Sequence, residues 1–317
     1  MKHIEWGYLI ISYLFLGGLS AGLFFVSALS TFLQKDGAPT RIARWGAILS
    51  PWPVMYGSAL LVFDLGNWYR FYKLFLHFQY VSPMSVGAWL LLLFSFVSLL
   101  YAFAWLTPEQ RTVLFARLPK KPSLLQLFNV DLSAYRRTLA ALGVPIAIGV
   151  GIYTGVLLGA VQSRPLWNTN LVAQMFLFSA LSTGCAALLF AMALSRDVLD
   201  ERELRLLYGL DICFMVLEFF IVIPYLIHGE LSSRAVQESL KLILGGPFTF
   251  TFWVLFLGLG LLVPLAIELV EFAPAMLSKS TPVARRPVLA FTAILILAGG
   301  FLLRYVFVFG GQMSNFE

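Results

Sequence analysis

Runs of apolar residues about 20 long recur along the chain, separated by short polar connections. A helix crosses the hydrocarbon core of a bilayer in roughly 20 residues. Eight such runs can be drawn: Gly7–Leu33, Trp45–Asp64, Val86–Leu106, Leu139–Val161, Leu171–Leu194, Leu206–Ile227, Phe248–Val270 and Val288–Phe309. Lipid offers backbone N–H and C=O groups no partner, so each run is predicted to be helical throughout. The alternation of an outer-membrane strand is absent, which argues against a β-barrel. The first run is longer than the apolar part of a secretory signal and lacks a small-residue cleavage site, so it is predicted to be a retained first helix. The pattern predicts an all-α integral membrane protein with eight transmembrane helices.

Composition agrees. Hydrophobic residues make up 60% of the 317 positions and charged residues 12%, about half the charge of a soluble domain. The net charge of +6 could suit nucleic acid, but no basic stretch carries the interleaved aromatics of a single-strand binder. The cations instead sort by side. Alternate connections hold Lys35, Arg41, Arg44, Arg111, Arg117, Lys120, Lys121, Arg136, Arg137, Arg196, Arg202, Arg205, Lys279, Arg285 and Arg286. The other set holds only Lys2, Arg70, Lys73, Arg164, Arg234 and Lys241, and Arg304 lies inside the last run. The richer side is predicted to be cytoplasmic, with both termini periplasmic. Cys185 and Cys213 both fall in apolar segments without a CxxC neighbour, and packing explains them.

The loop Asn67–Tyr80 is dense in aromatics with a few cations and is predicted to lie in the outer interface as a short amphipathic helix. Thr107–Arg137 is the longest cytoplasmic connection, too short for a folded domain. A faint repeat runs through the sequence. Leu19-Ser20-Ala21-Gly22 in the first span echoes Leu181-Ser182-Thr183-Gly184 in the fifth, and Pro83 with Trp89 echoes Pro247 with Trp253. The predicted organisation is two parallel four-helix bundles, residues 1–162 and 163–317.

Ionisable groups within a membrane are expensive and therefore candidates for function. Asp64 closes the second span, Glu218 sits at mid-depth in the sixth, and Arg304 lies in the outer half of the eighth, a natural counter-charge for an acid. Asp211 and Glu268 sit near the cytoplasmic ends of their spans, where they either reach water or extend a polar path from Glu218 and Arg304. His3, His77 and His228 all fall at outer ends or in outer loops. A transmembrane cytochrome b needs axial histidines inside its spans, and an iron–sulfur centre needs clustered cysteines. Neither pattern is present, so no haem and no iron–sulfur cluster is expected in this chain, no metal site is predicted, and electrons must be handed to a partner.

The order of motifs resembles the NrfD/PsrC-type membrane subunits of polysulfide reductase and related complexes. The resemblance rests on Tyr13-Leu-Phe-Leu-Gly-Gly-Leu-Ser-Ala-Gly22, on Asp64 through Arg70 to Ser82-Pro83-Met84-Ser85-Val86-Gly87-Ala88-Trp89, on Tyr153-Thr154-Gly155 with Pro165-Leu166-Trp167-Asn168, and on Arg304 with Gly311-Gln312. It implies a haem-free subunit in a bacterial or archaeal inner membrane that oxidises a quinol, menaquinol or ubiquinol. It also implies two partners, a ferredoxin-like iron–sulfur subunit on the periplasmic face and a molybdopterin or cytochrome catalytic subunit. The quinone pocket of the family maps onto Tyr13, Asp64 and Tyr153, with Arg70 at its lip. Some members carry histidine at the position of Tyr13 and asparagine at that of Ile10.

The residues make chemical sense of that implication. Oxidising a quinol removes two electrons and two protons, which calls for hydrogen-bond partners at the ring oxygens and a carboxylate that takes protons. Tyr13 and Tyr153 supply the first and Asp64 the second, with Trp68, Tyr69 and Phe71 as apolar walls. Glu218 and Arg304 are expected to form part of a buried polar path towards the cytoplasmic half. A secondary transporter and a passive anchor are the competing readings. The few buried acids and the lack of obvious mid-span breaks weigh against the transporter.

Overall fold

The computed structural model describes residues 6–33, 40–64, 72–76, 78–115, 131–195, 200–277 and 285–314. Eight of its helices are long and apolar enough to cross a membrane. In sequence order these spans are Tyr8–Leu33, Arg41–Asp64, Pro83–Trp105, Ser133–Gly159, Leu171–Leu194, Glu201–Leu231, Phe250–Ala273 and Arg286–Met313. The described residues contain no strand. Each predicted run is matched by one of these spans, so the all-α, eight-span expectation holds.

Local chemistry accounts for the irregular places. Span 2 is interrupted at Ser50, between a helix Arg41–Leu49 and a helix Pro51–Asp64. Pro51 has no N–H to give the carbonyl of Ala47. The Ser50 hydroxyl donates to that carbonyl instead, at 3.2 Å. The carbonyl of Ser50 in turn accepts from the buried Ser20 hydroxyl of span 1. Span 3 starts cleanly, because Pro83 occupies the first turn and the Ser82 hydroxyl caps the Ser85 N–H. Span 7 begins as a widened helix over Phe250–Leu262, closed by a bond from the Val263 N–H to the carbonyl five residues back, Gly258. Two shorter helices flank the membrane part, Pro108–Phe115 after span 3 and Arg234–Leu244 before span 7. In the aromatic loop the helix is a single turn, Lys73–Leu76, and Phe75 and Phe78 meet the Trp89 ring edge-on at 6.1 and 6.3 Å.

Spans 1 and 5 form the centre of the molecule. Span 1 packs on spans 2 and 4, span 5 on spans 6 and 8, and the two meet each other. Their contact is backbone on backbone. A Cβ on Gly22 would lie 2.0 Å from the carbonyl oxygen of Ala180, and one on Gly184 would lie 2.3 Å from the carbonyl carbon of Gly22. Small residues at a membrane helix crossing permit this approach, which dispersion then rewards.

Both ends of the described region lie on one face. The Trp6 N–H donates to Gln312 Oε1 and Gln312 Nε2 donates back to the Trp6 carbonyl, both at 2.9 Å. Arg164, in the connection between spans 4 and 5, donates to the carbonyls of Gln312 and Ser314 at 2.6 and 3.1 Å. The Trp167 indole stacks on Trp6 at 5.3 Å and donates to the Phe307 carbonyl at 2.6 Å. We call this end the terminal face. At the opposite face Glu203, entering span 6, accepts the Arg41 N–H at 2.5 Å and so fastens span 6 to the start of span 2.

Candidate functional site

Two groups of polar residues lie inside the bundle. The first sits below the terminal face in the N-terminal half. Tyr13 of span 1 is 1% exposed, and its hydroxyl has no well-formed hydrogen bond to protein. Tyr153 of span 4 faces it within electrostatic reach. The Tyr153 ring rests against span 3 at Gly87, where a Cβ would come within 1.7 Å of the ring. Any side chain at that position would displace the phenol, so Gly87 sets where Tyr153 lies. Span 2 backs onto span 1 at Gly57, 3.5 Å from the Tyr13 carbonyl by the same measure. Asp64 lies seven residues further along span 2, two turns on the same face and about 10 Å nearer the terminal face. It is partly buried. No hydrogen bond joins it to either tyrosine. Arg70, with Trp68, Tyr69 and Phe71, lies outside the described residues.

The second group begins at mid-depth, where the halves meet. The Arg304 guanidinium of span 8 is fully enclosed. Its Nη1 donates to Ser179 Oγ and to the Gly300 carbonyl, both at 2.7 Å, and its Nη2 to the Phe176 carbonyl at 3.1 Å. It also lies over the Phe176 ring at 5.0 Å. Gly18 of span 1 leaves it room, since a Cβ there would meet Nη2 at 3.1 Å. Glu218 of span 6 approaches the same Ser179 hydroxyl and senses the Arg304 charge. The acid and the base are therefore arranged around a serine, which accepts from one and can donate to the other. Glu218 Oε1 and Arg304 Nε remain without a hydrogen-bond partner.

From Glu218 the acids continue away from the terminal face. Asp211 lies seven residues earlier on the same face of span 6 and accepts from Ser182 Oγ at 2.6 Å. Glu268 of span 7 lies beside it, fully enclosed, with neither carboxyl oxygen engaged by a donor. Glu271, three residues on, accepts from the Tyr208 hydroxyl at 2.5 Å and interacts with Arg285 at the end of the bundle. Among the described residues no group of three or more His, Cys, Asp and Glu is placed to hold a metal ion.

Of the two readings of Asp211 and Glu268, contact with water at an interface fails; both are 0% exposed. The apolar runs underestimated these helices. Span 6 starts at Glu201, so Asp211 lies ten residues, about 15 Å, inside it, and the helix carrying Glu268 continues to Leu277. Tyr13 and Tyr153 are brought together, as are Glu218 and Arg304, whereas Asp64 stands apart from both pairs. Sequence reasoning missed Ser179, Ser182, Gly18 and the Tyr208–Glu271 bond. The repeated Ser20 and Ser182 and the i,i+3 spacing of Glu268 and Glu271 were the available signals.

A family model described as Polysulphide reductase, NrfD matches residues 1–315. The chain belongs to the NrfD family. Protein NrfD of Escherichia coli is 30% identical over 317 residues, covering 99% of this chain and 96% of that protein. A polysulfide reductase subunit of Wolinella succinogenes is 28% identical over 315 residues, covering 98% and 95%. The Hdr-like menaquinol oxidoreductase integral membrane subunit of Archaeoglobus fulgidus is 25% identical over 280 residues, covering 84% and 63%. With eight membrane-crossing helices, this NrfD-family chain is a multi-pass inner-membrane protein.

Proposed function

We propose that this chain is the membrane anchor of a respiratory reductase complex and the subunit that oxidises its quinol, menaquinol or ubiquinol. Its relatives support the anchor role, since their names describe subunits of polysulfide and selenate reductases and the integral membrane subunit of an Hdr-like menaquinol oxidoreductase. The observation that carries the quinol role is the buried Tyr13 hydroxyl without a firm protein partner, set against Tyr153. A buried hydroxyl in that state suits a ligand oxygen. A quinol bound there supplies two electrons and two protons. Tyr13 and Tyr153 hold its ring oxygens, Asp64 takes a proton at the edge nearer water, and Arg70 is its proposed counter-charge. Electrons leave to a ferredoxin-like iron–sulfur subunit on the terminal face, which the excess of cations at the other face makes periplasmic, and then to a molybdopterin or cytochrome subunit.

We further propose that Arg304, Ser179, Glu218, Asp211, Glu268 and Glu271 form a proton path from this site towards the cytoplasmic face. Its support is that these groups follow one another from Arg304, packed against Gly18 of span 1, to Arg285, with open valences at Glu218, Asp211 and Glu268. The test of the quinol role is binding of a hydroxyquinoline N-oxide quinone analogue to the purified membrane chain. Saturable binding is expected, weakened roughly five- to tenfold by Tyr13→Phe, the loss of one hydrogen bond. A protein that is folded but binds no analogue is a passive anchor or a transporter, and the reading is then wrong.

A further inference from the structure

A cavity of about 350 Å³ opens at the face opposite the termini, lined by Arg44, Trp45, Ile48, Leu49 and Gln110. It lies far from the tyrosine site and is not used by the proposed proton path. One wall is the first segment of span 2, which presents Trp45, Ile48 and Leu49 along consecutive turns. The other is the short helix Pro108–Phe115. That helix is fixed by its own sequence, Thr107-Pro108-Glu109-Gln110, a capping box. The Thr107 hydroxyl accepts the Gln110 N–H and Gln110 Oε1 accepts the Thr107 N–H, both at 3.3 Å. The same Gln110 oxygen accepts from Arg44 Nη2 at 3.0 Å. The cap thereby holds the Arg44 guanidinium at the rim of the cavity.

Two more arginines stand at this level, each laid on an aromatic ring at the end of span 3. Arg111 lies over Phe103 at 4.5 Å, and Arg136 lies over Trp105 at 4.3 Å while donating to the Ala104 carbonyl at 2.9 Å. Arg136 is within electrostatic reach of both Arg44 and Arg111. The acid that Arg136 senses, Asp131, is engaged by the Ser133 N–H and hydroxyl, both at 2.9 Å. Those two hydrogen bonds, ahead of the arginines, hold its carboxyl below the usual range. Arg44 thus stands at the rim of a space otherwise lined by Trp45, Ile48, Leu49 and Gln110, with Arg136, and Arg111 beside it, on two neighbouring helices within electrostatic reach.

We infer that this cavity is a binding site for a phospholipid with an anionic headgroup. The charge calls for phosphate, which guanidinium groups recognise by paired hydrogen bonds. The apolar wall below, with a tryptophan at interface depth, calls for an acyl chain. A free phosphate would have no use for that wall, and a zwitterionic headgroup would bring an ammonium to a site that already gathers three arginines.

The test is native mass spectrometry of the delipidated full-length protein in detergent, titrated with phosphatidylglycerol or phosphatidylethanolamine of matched acyl composition. Phosphatidylglycerol adducts are expected to form at lower concentration and to fall roughly fivefold for each arginine removed in Arg44→Gln and Arg44→Gln/Arg111→Gln. Arg234→Gln, on the terminal face, is expected to change nothing. Equal retention of the two lipids by the unmodified protein would overturn the inference without reliance on any variant. So would displacement of the lipid by inorganic phosphate, which would mark an anion pocket, or undiminished retention by the double variant.

Discussion

The two halves of the sequence carry a repeated motif and use it differently. Ser20 of span 1 and Ser182 of span 5 hold corresponding places in the repeated Leu-Ser-x-Gly, and the glycines two residues on press against each other. Each serine reaches across to the next span. Ser20 donates to the carbonyl of Ser50, at the interruption of span 2, and Ser182 donates to the carboxyl of Asp211. The first contact repairs a broken helix, and the second steadies a buried acid. Equally, Trp89 packs against phenylalanines before span 3, while Trp253 donates to the Ile243 carbonyl at the end of the helix before span 7, at 3.0 Å. We propose that a parallel duplication produced the scaffold and that the halves then diverged, the first keeping hydroxyls near the terminal face and the second collecting carboxyls below it.

Breaking the contact between the repeated motifs has the largest expected effect. Gly184→Leu drives a side chain into the backbone of span 1, at a cost of about 3 kcal/mol or more. No assembled protein is then expected in the membrane by immunoblot or size-exclusion profile. Normal yield would mean that the crossing of spans 1 and 5 is not the axis of the fold.

Glu218→Gln tests the divergence. The amide keeps the shape and the approach to Ser179 but cannot titrate. Assembly is expected to survive while quinol-linked proton uptake in vesicles drops about a hundredfold, the scale of one lost acid–base group. Loss of assembly would make Glu218 a packing element, and unchanged proton uptake would make it a spectator.

The serines give the finest comparison. Ser20→Ala and Ser182→Ala each delete one hydrogen bond, so each should lower stability by about 1 kcal/mol. Only Ser182→Ala should also slow proton-linked turnover, severalfold, because only its partner titrates. Equal kinetic effects would erase the distinction drawn between the halves.

Much of the fold was legible in the sequence because lipid permits few solutions. A run of apolar residues that crosses a bilayer must be a helix, and eight runs gave eight spans within a few residues. The polar interior was less legible. Glu218 stood out because mid-depth in the run is mid-depth in the membrane. The burial of Asp211 and Glu268 could not be decided because charged first turns such as Glu201-Arg202-Glu203 belong to the helix but not to the apolar run. Ser179 gave no sign of its role and Ser182 only the faint one of its repeat with Ser20, since a serine in a span usually bonds its own helix, as Thr183 does to the Ala180 carbonyl at 3.0 Å. Tyr13 and Tyr153 lie 140 positions apart, and only their place in the family motifs suggested that they meet.

The closure between Trp6 and Gln312 spans 306 positions of sequence and carries a consequence for biogenesis. Helices enter the membrane in order from the ribosome, so the Trp6 backbone waits for its Gln312 partner until the eighth span has arrived. Only then do Trp6, Trp167, Arg164 and Gln312 join into one surface. A polypeptide stalled or cut before that span displays no finished terminal face. A subunit that docks there would ignore immature copies, and the membrane's proteases would find their loose ends.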